Sequence, residues 1–480
     1  MAYEAVIGLE CHVELSTATK MFCACANVFG APPNTQTCPV CLGHPGTLPV
    51  PNREAIARII KIGLALNSEI APHSLFHRKN YFYPDMPKNY QISQYDLPIC
   101  IGGHLDIEFG DGSTARVGIT RVHMEEDTGK STHGGGSGRI HDATYATLDF
   151  NRAGVPLVEC VSEPDMRSPE EAAAYLRELR ATLESLDVSD VKMEEGSLRC
   201  DANISLRATG AEAFGTKVEI KNMNSVRSLE RALVYEIERQ TKALDAGATI
   251  VQETRHWDED AGSTASMRSK EEAFDYRYFP EPDIPAMEPD AAWIDDIRAS
   301  LPELPRARRD RYVETLGLKP DVARVLVGDR GSSALFDAAV SLGADAGPAA
   351  NWITQDVAAL RNAGGSEGEL TAQHVADVVM LIASGTVSNA GAKQALEASF
   401  ASGEPVEAAV DRLGLRQVSD TGALGALADE VLAENPDVVQ KFRDGKEGVI
   451  GFLVGQLMQK AAGAANPKVA QELLRERLQG

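Results

Sequence analysis

The sequence predicts an α+β domain followed by two all-helical ones. Short β-like stretches mix with two long helix-period segments over about the first 285 residues, and beyond them the chain turns Ala-rich at helical spacing, with glycines between segments. At 480 residues the chain is also too long for one hydrophobic core, so several domains are expected.

The β-like stretches are residues 5–13, 115–123 and 146–150, then 198–207 and 217–220. Between them, 169–186 reads as a helix: Ser168 is placed to cap it, Pro169 suits its first turn, and Glu170 and Glu171 suit the dipole there. A second helix is expected over 225–244, with Leu229, Leu233, Val234 and Ile237 as its apolar stripe. The α+β part ends near Pro285. Leu301-Pro-Glu-Leu-Pro305 then forms a breaker-rich junction before a basic helical stretch at 306–316. Ala-rich helices separated by Gly343, Gly364-Gly365 and Gly385 continue to about 403, and 404–480 is again helical. Gly448-Val-Ile-Gly-Phe-Leu-Val-Gly-Gln-Leu-Met458 is its most distinctive string.

Apolar content of 43% and charged content of 24% are those of an ordinary soluble protein. No run reaches the ~20 apolar residues that span a bilayer, and Met1-Ala-Tyr-Glu-Ala-Val lacks a leader pattern, so a cytoplasmic protein without a membrane partner is expected. In that compartment the eight cysteines stay reduced. The 70 acidic residues against 47 basic ones give a formal charge of −23, which repels nucleic acid at long range. An RNA partner would therefore depend on local basic surfaces or on other subunits.

In Glu10-Cys-His-Val-Glu14, strand alternation puts Glu10, His12 and Glu14 on one face and Cys11 and Val13 on the other. Two carboxylates and an imidazole can hold a hard cation such as Mg²⁺; alone, the pattern also describes a solvent-facing strand. In Thr120-Arg-Val-His-Met-Glu-Glu-Asp127, alternation collects Arg121, His123, Glu125 and Asp127, with Glu126 opposite. Such a cluster suits metal-phosphate chemistry and equally a charged hairpin tip. Thr128-Gly-Lys-Ser131 ends like a P-loop, but the required upstream glycine is Met124, which excludes one. Gly134-Gly-Gly-Ser-Gly138 reads as a flexible loop. Cys23-Ala-Cys25 and Cys38-Pro-Val-Cys41 are two close pairs that can supply four thiolates to a tetrahedral Zn²⁺, the alternative being four free thiols. Cys11, Cys100, Cys160 and Cys200 read as small core residues. Three further polar strings lie at 148–164, 200–205 and 219–225. Together the strings are what a phosphate- and amide-binding cleft requires.

The strings GLECHVEL, CPVCLGHPGTLPV, KNYFYPDMPKNYQISQYDLPI, HMEEDTGK, DFNRAGVPLVE, CDANISL, EIKNMNS and YRYFPEPDIP, in this order, resemble the B-subunit (GatB) family of aspartyl/glutamyl-tRNA(Asn/Gln) amidotransferases. The C-terminal GVIGFLVGQLMQ and NPK resemble that family's tail. The resemblance implies a glutamine-synthetase-like catalytic cradle over residues 1–292, a helical domain over 293–405 and a tRNA-binding tail over 406–480. It implies a ligase, in a heterotrimer with a glutaminase A subunit and a C subunit, that uses ATP to phosphorylate the side-chain carboxylate of a mischarged tRNA and then aminates it with ammonia. It implies that Glu10, His12, Glu125 and Glu159 are catalytic, with Mg²⁺ on Glu10, His12 and Glu125. Asp201, Asn203, Glu219 and Lys221 would line the ATP and substrate cleft, and Cys23, Cys25, Cys38 and Cys41 match the zinc-binding version of the family. Lys88, Tyr90 and Gln91 fall in a matching string without an evident role. Lys441, Arg443, Lys446, Lys460 and Lys468 are the candidate tRNA contacts, and Arg306, Arg308, Arg309 and Arg311 form a second basic patch. Either patch is also compatible with a solvated helix face.

Overall fold

A computed structural model describes residues 2–80, 82–135, 143–269, 276–363, 370–417, 421–461 and 465–479. Positions 136–138 of the glycine-serine stretch and the Gly364-Gly365 turn lie outside them. The chain forms two compact units, Met1–Arg308 and Arg309–Gly480.

The first unit begins with β1 (Tyr3–Glu14), α1 (Arg53–Ala65), β2 (Glu69–Ile70), β3 (His77–Asn80), β4 (Tyr90–Ser93), β5 (Cys100–Ile101), β6 (His104–Glu108) and β7 (Thr114–Glu126). It continues through β8 (Lys130–Gly134), β9 (Tyr145–Asp149), β10 (Pro156–Ser162), α2 (Pro169–Ser185), β11 (Leu198–Ala208), β12 (Val218–Met223) and α3 (Val226–Asp245). It closes with β13 (Glu253–Asp258), β14 (Ser263–Ser269), β15 (Phe279–Pro280) and α4 (Ala291–Ala299). One sheet runs β14-β13-β12-β11-β1-β10-β7-β4-β3-β15, with β2, β5 and β6 joined beside β7, while β8 and β9 pair separately. Lys130 opens β8 rather than a helix, consistent with the absence of a P-loop.

β1 is central and is covered on both edges, by β10 and by β11. Its Ile7, Leu9, Cys11 and Val13 have no exposed surface and belong to one core with Tyr175, Leu176, Leu179 and Leu183 of α2. Full burial of each large apolar side chain contributes ~1.5–3 kcal/mol. Cys11 lies opposite Cys160 on one side and Cys200 on the other, so these thiols are core residues in a lateral row. The other face of the same strands carries the polar residues.

Ser168 caps α2 by accepting from the Glu171 amide, and Ser225 caps α3 by accepting from Ser228. The apolar stripe expected for α3 is only partly right. Leu229 and Leu233 are buried, but Val234 is 44% exposed, because Ala232, Glu236 and Gln240 complete the inward face at helical spacing. Glu236 is wholly buried: its carboxylate accepts from Arg239 Nη2 at 2.5 Å, Gln240 Nε2 at 3.0 Å and Thr264 Oγ1 at 3.1 Å, with Arg255 Nε at 3.6 Å. This pins α3 to β13 and β14.

Ile297 of α4 packs in the first unit's core, so a limit at 292/293 falls within a helix that belongs to the sheet domain. The second unit has two separate cores, one from Tyr312 to Val410 and one from Leu424 to Leu478. Val406, Ala409 and Val410 of helix Val406–Leu413 lie in the former, so a limit at 405/406 falls before a helix that packs with the preceding core. The basic patch after Pro305 is internally paired. Arg306 meets Asp106 at 2.6 Å, Arg308 meets Glu303 at 3.3 Å, Arg311 meets Asp337 at 3.1 Å, and Arg309 is buried.

Replacing Glu236 by alanine leaves the Arg239 and Arg255 guanidinium groups beside an empty acceptor site. We expect it to lower stability by ~3–5 kcal/mol in urea unfolding, with Val234→Ala changing it by less than ~0.5 kcal/mol.

Candidate active site

Register across four strands builds the polar face. His12 on β1 is the direct neighbour of Arg199 on β11 and of Glu159 on β10, and Glu159 is the direct neighbour of His123 on β7. Glu125, two residues along β7, pairs in register with Ser93 of β4. Ligand atoms of His12, Glu125 and Glu159 lie within 4.8 Å of one another. His12 Nε2 is 3.5 Å from Glu159 Oε2, and His123 Nε2 is 3.2 Å from the same oxygen and 3.5 Å from Glu125 Oε1. Glu125 also accepts from Ser93 Oγ at 2.8 Å and Gln91 Nε2 at 3.1 Å, with Lys79 Nζ at 4.0 Å.

Burial pushes Glu125 up, but Lys79 and His123 outweigh it and hold the carboxyl down at about 2. Burial likewise pushes Glu159 up, and His123 and His12 bring it well below the ordinary range. Burial alone would lower the imidazoles; Glu159 and its neighbours instead raise His12 and hold His123 at about 9. Two ionised carboxylates and an imidazole converging at this separation fit a hard divalent cation, which would replace protons as the positive partner.

Glu10 stands two residues along β1 from the triad and accepts from Asn203 Nδ2 at 2.7 Å, while Asn203 Oδ1 is buried with no hydrogen-bond partner among the described residues. Next to it, Lys221 pairs with Asp201 and lies 3.4 Å from Glu219 Oε1, whose other oxygen accepts from Thr254 at 2.7 Å. The structure therefore joins His12 and Glu125 with Glu159, and it groups Glu10 with Asn203, Asp201, Glu219 and Lys221 as the adjoining wall. At the opposite end, burial and Asp127 push Glu14 up to about 8; burial raises Asp127 too, but Arg199 and Arg152 hold it down at about 2. Lys79, Ser93 and Arg199 are site residues that the sequence motifs do not single out. Alternation along Leu198–Ala208 sets Arg199 with Asp201 and Asn203, and is the one signal that points to it.

Behind β7, Glu126 takes Lys88 as a buried ion-pair partner and accepts from the Ile92 amide at 2.9 Å, and Gln91 Nε2 donates to the Glu126 carbonyl at 2.7 Å. This gives Lys88 and Gln91 structural partners. The pair borders a pocket of about 240 Å³ lined by Cys23, Cys41, His44, Arg78 and Asp283. The sulfurs of Cys23, Cys25, Cys38 and Cys41 lie within 4.8 Å of one another, with Cys41 to Cys38 at 3.9 Å. Sulfurs on a tetrahedral metal with 2.3 Å bonds stand about 3.8 Å apart, so the set fits. Cys23 hydrogen bonding holds the Cys41 thiol down at about 5.

In the second unit Lys441, Arg443, Lys446 and Lys468 are exposed. Lys460 instead bridges Glu430 at 3.1 Å and Glu434 at 2.7 Å. Leu453 and Leu457 are core, whereas Phe452 is 51% exposed, and a Cβ at Gly448, Gly451 or Gly455 would meet nothing within 4 Å.

A raised His12 keeps its proton to higher pH than an ordinary imidazole, about 6.5, and a protonated imidazole cannot ligate. Mn²⁺ affinity of the nucleotide-free protein, followed by calorimetry, is therefore expected to strengthen from about pH 6 to pH 8. His12→Gln should flatten that rise.

Residues 5–295 match the model of the GatB/GatE catalytic domain, and residues 334–478 match that of the GatB domain. The aspartyl/glutamyl-tRNA(Asn/Gln) amidotransferase B subunit of Moorella thermoacetica is 54% identical over 481 residues, covering 100% of both chains. That of Carboxydothermus hydrogenoformans is 50% identical over 99% of each, and that of a Picosynechococcus species 51% identical over 100% of this chain and 98% of its own. With a catalytic-domain model matching its sheet unit and half-identical relatives along its whole length, the chain belongs to the family of aspartyl/glutamyl-tRNA(Asn/Gln) amidotransferase B subunits.

Proposed function

We propose that the polar face of the sheet carries out the B-subunit half of tRNA-dependent amidation. The γ-phosphoryl group of ATP passes to the side-chain carboxylate of Glu-tRNA(Gln) or Asp-tRNA(Asn), and ammonia then displaces phosphate to give Gln-tRNA(Gln) or Asn-tRNA(Asn). The chain is on this account the ligase component of a tRNA-dependent amidotransferase. The observation that carries the reading is the convergence of His12 on the buried carboxylates of Glu125 and Glu159, in a chain of this family.

A carboxylate is a poor electrophile, and phosphorylation supplies the leaving group. His12, Glu125 and Glu159 would hold Mg²⁺, which when bound offsets charge on the phosphate oxygens. Lys79 faces Glu125 and adds a cation to the same wall. Asn203 Oδ1, an unsatisfied acceptor, and the Asp201, Glu219 and Lys221 cluster would orient nucleotide and aminoacyl end, with Glu10 steering Asn203. A glutamine-synthetase-like cradle remains part of this proposal, supported by a large mixed sheet with one polar face. Cys23, Cys25, Cys38 and Cys41 would hold a structural Zn²⁺.

The partners in this proposal are a glutaminase A subunit supplying ammonia, a C subunit, and the mischarged tRNA, in the cytoplasm. Among the described residues no helix is long and apolar enough to cross a membrane. The sheet unit, Met1–Arg308, would do the chemistry; of the two helical cores beyond it, that from Tyr312 to Val410 would form the helical domain and that from Leu424 to Leu478 would approach tRNA through Lys441, Arg443, Lys446 and Lys468. Lys460 is the weakest of these candidates, since Glu430 and Glu434 already neutralise it.

Glu125→Gln is expected to lower ATP-dependent acyl-phosphate formation by at least ~100-fold while the assembled complex still binds mischarged tRNA; ATP cleavage at the wild-type rate would sink the site assignment. Replacing Lys441, Arg443 and Lys446 together by glutamine should reduce the slope of log affinity against log salt by ~2–3, measured by filter binding. An unchanged slope would remove these residues from the RNA contact.

A further inference from the structure

Arg199 stands directly opposite His12 on the catalytic face, with 34% of its side chain exposed. Among the described residues its hydrogen-bond partner is Asp127, at 2.6 Å from Nη2, which leaves most of a five-donor fork for a ligand. Asp127 is buried and is shared with Arg152, whose Nε lies 3.7 Å away. Arg152 is itself fixed: Nε donates to the Thr128 carbonyl at 3.1 Å and Nη2 to that of Gly129 at 3.0 Å.

The loop that carries Arg152 is clasped by the chain between the two cysteine pairs. The Asn34 backbone amide donates to Asp149 at 2.9 Å, its side-chain Nδ2 donates to the Leu148 carbonyl at 3.0 Å, and its Oδ1 accepts from the Phe150 amide at 2.8 Å. Asn151 donates to the Pro32 carbonyl at 2.7 Å and accepts from the Gln36 amide at 2.8 Å. Lys20, which has no exposed surface, donates to the Phe150 carbonyl at 3.2 Å and to Cys41 Sγ at 3.8 Å. A side chain at Gly154 would stand 3.3 Å from Cys41 Cβ. The contacts are continuous from the knuckle to the cleft.

We propose that Arg199 binds the non-bridging oxygens of the phosphoryl group in transfer, and that the cysteine knuckle, through the Asn34–Asn151 clasp, Arg152 and Asp127, is the positioning device that aims it. This deepens the proposed function and rests on it. In the step, the bond from γ-phosphorus to the ADP oxygen breaks, its electron pair leaving on ADP, while a bond forms from the substrate carboxylate oxygen to phosphorus; no proton moves. A planar guanidinium matches the phosphoryl oxygens with two parallel N–H bonds, which an ammonium cannot do.

The test uses the assembled amidotransferase containing this chain, with ATP and mischarged tRNA, and follows acyl-phosphate formation in a single turnover. Arg199→Ala is expected to slow that step by ~100-fold or more, and added guanidinium at millimolar concentration should restore part of it. Should the alanine variant fail to fold, Arg199→Lys keeps the charge beside Asp127 and should still lose ~10-fold or more. Asn34→Gly, which keeps the left-handed backbone of Asn34, and Asn151→Ala should slow the step by ~10-fold without guanidinium rescue, at wild-type zinc content and with the complex still folded at the assay temperature. A wild-type rate in Arg199→Ala, or loss without rescue, overturns the role of Arg199; wild-type rates in both asparagine variants overturn the positioning device. Glu159→Gln separates the levels: if it is inactive while Arg199→Ala is not, the reaction stands and Arg199 is dismissed. If both are fully active, the proposed reaction site itself is wrong.

Discussion

Two carboxylates, Glu125 and Glu159, sit almost without water in the middle of a sheet. Each ion taken out of water costs several kcal/mol unless counter-charge and hydrogen bonds replace the hydration. Much of the first unit is arranged to supply them: His12 from β1, His123 from β7, Lys79 from β3, and Ser93 and Gln91 from β4. None of these strands could be lost without leaving a buried charge uncompensated. The adjoining walls repeat the pattern, with Asp127 between two arginines and Asp201 beside Lys221.

The polar half of this arrangement is legible in the sequence because strands alternate. The faces expected for Glu10-Cys-His-Val-Glu14 and for Arg121 to Asp127 are those observed, and the thiols at 11, 100, 160 and 200 are core. Which residues meet across strands is not legible, since register is a property of pairs. Glu159 joins His12 and Glu125 because β10 sets it beside His12, while Glu10 accepts from Asn203 on the next strand. Alternation puts Arg199 on the polar face with Asp201 and Asn203, but that it stands beside His12 is again a matter of register. In α3 the period is right, but Val234 reads as inward because it is apolar, where Glu236 and Gln240 are the residues that face in. A buried carboxylate with four partners from three elements has no one-dimensional signature.

The net charge of −23 leaves any RNA contact to local groups of cations that acidic neighbours do not neutralise. Several basic residues of the second unit are consumed by acidic neighbours: Lys460 by Glu430 and Glu434, Arg477 by Asp429, and Arg416 by Glu407 and Asp411. Lys441, Arg443 and Lys446 lie exposed close together in sequence, and the exposed Phe452 and open glycines lie just beyond. Exposed Asp437, Asp444 and Glu447 are interspersed with these three cations, so any attraction they offer is short-ranged and readily screened by salt.

The central place of β1 has a consequence for how the chain reaches this state. It is made before both of the strands it pairs with, its partners including Ala208 opposite Tyr3 and Val161 opposite Glu10. During synthesis at ~5–20 residues per second, a 12-residue strand with two unsatisfied edges must wait some ten seconds or more for both neighbours. Such non-local pairing is slow and exposes strand edges to other chains. The carboxylates and imidazole along Tyr3–Glu14 act in that interval as gatekeepers, since a polar residue at every second position of the C-terminal half disfavours stacking into aggregates. The polar face that faces the candidate site in the finished sheet is thus also what keeps the nascent strand from being apolar on both sides.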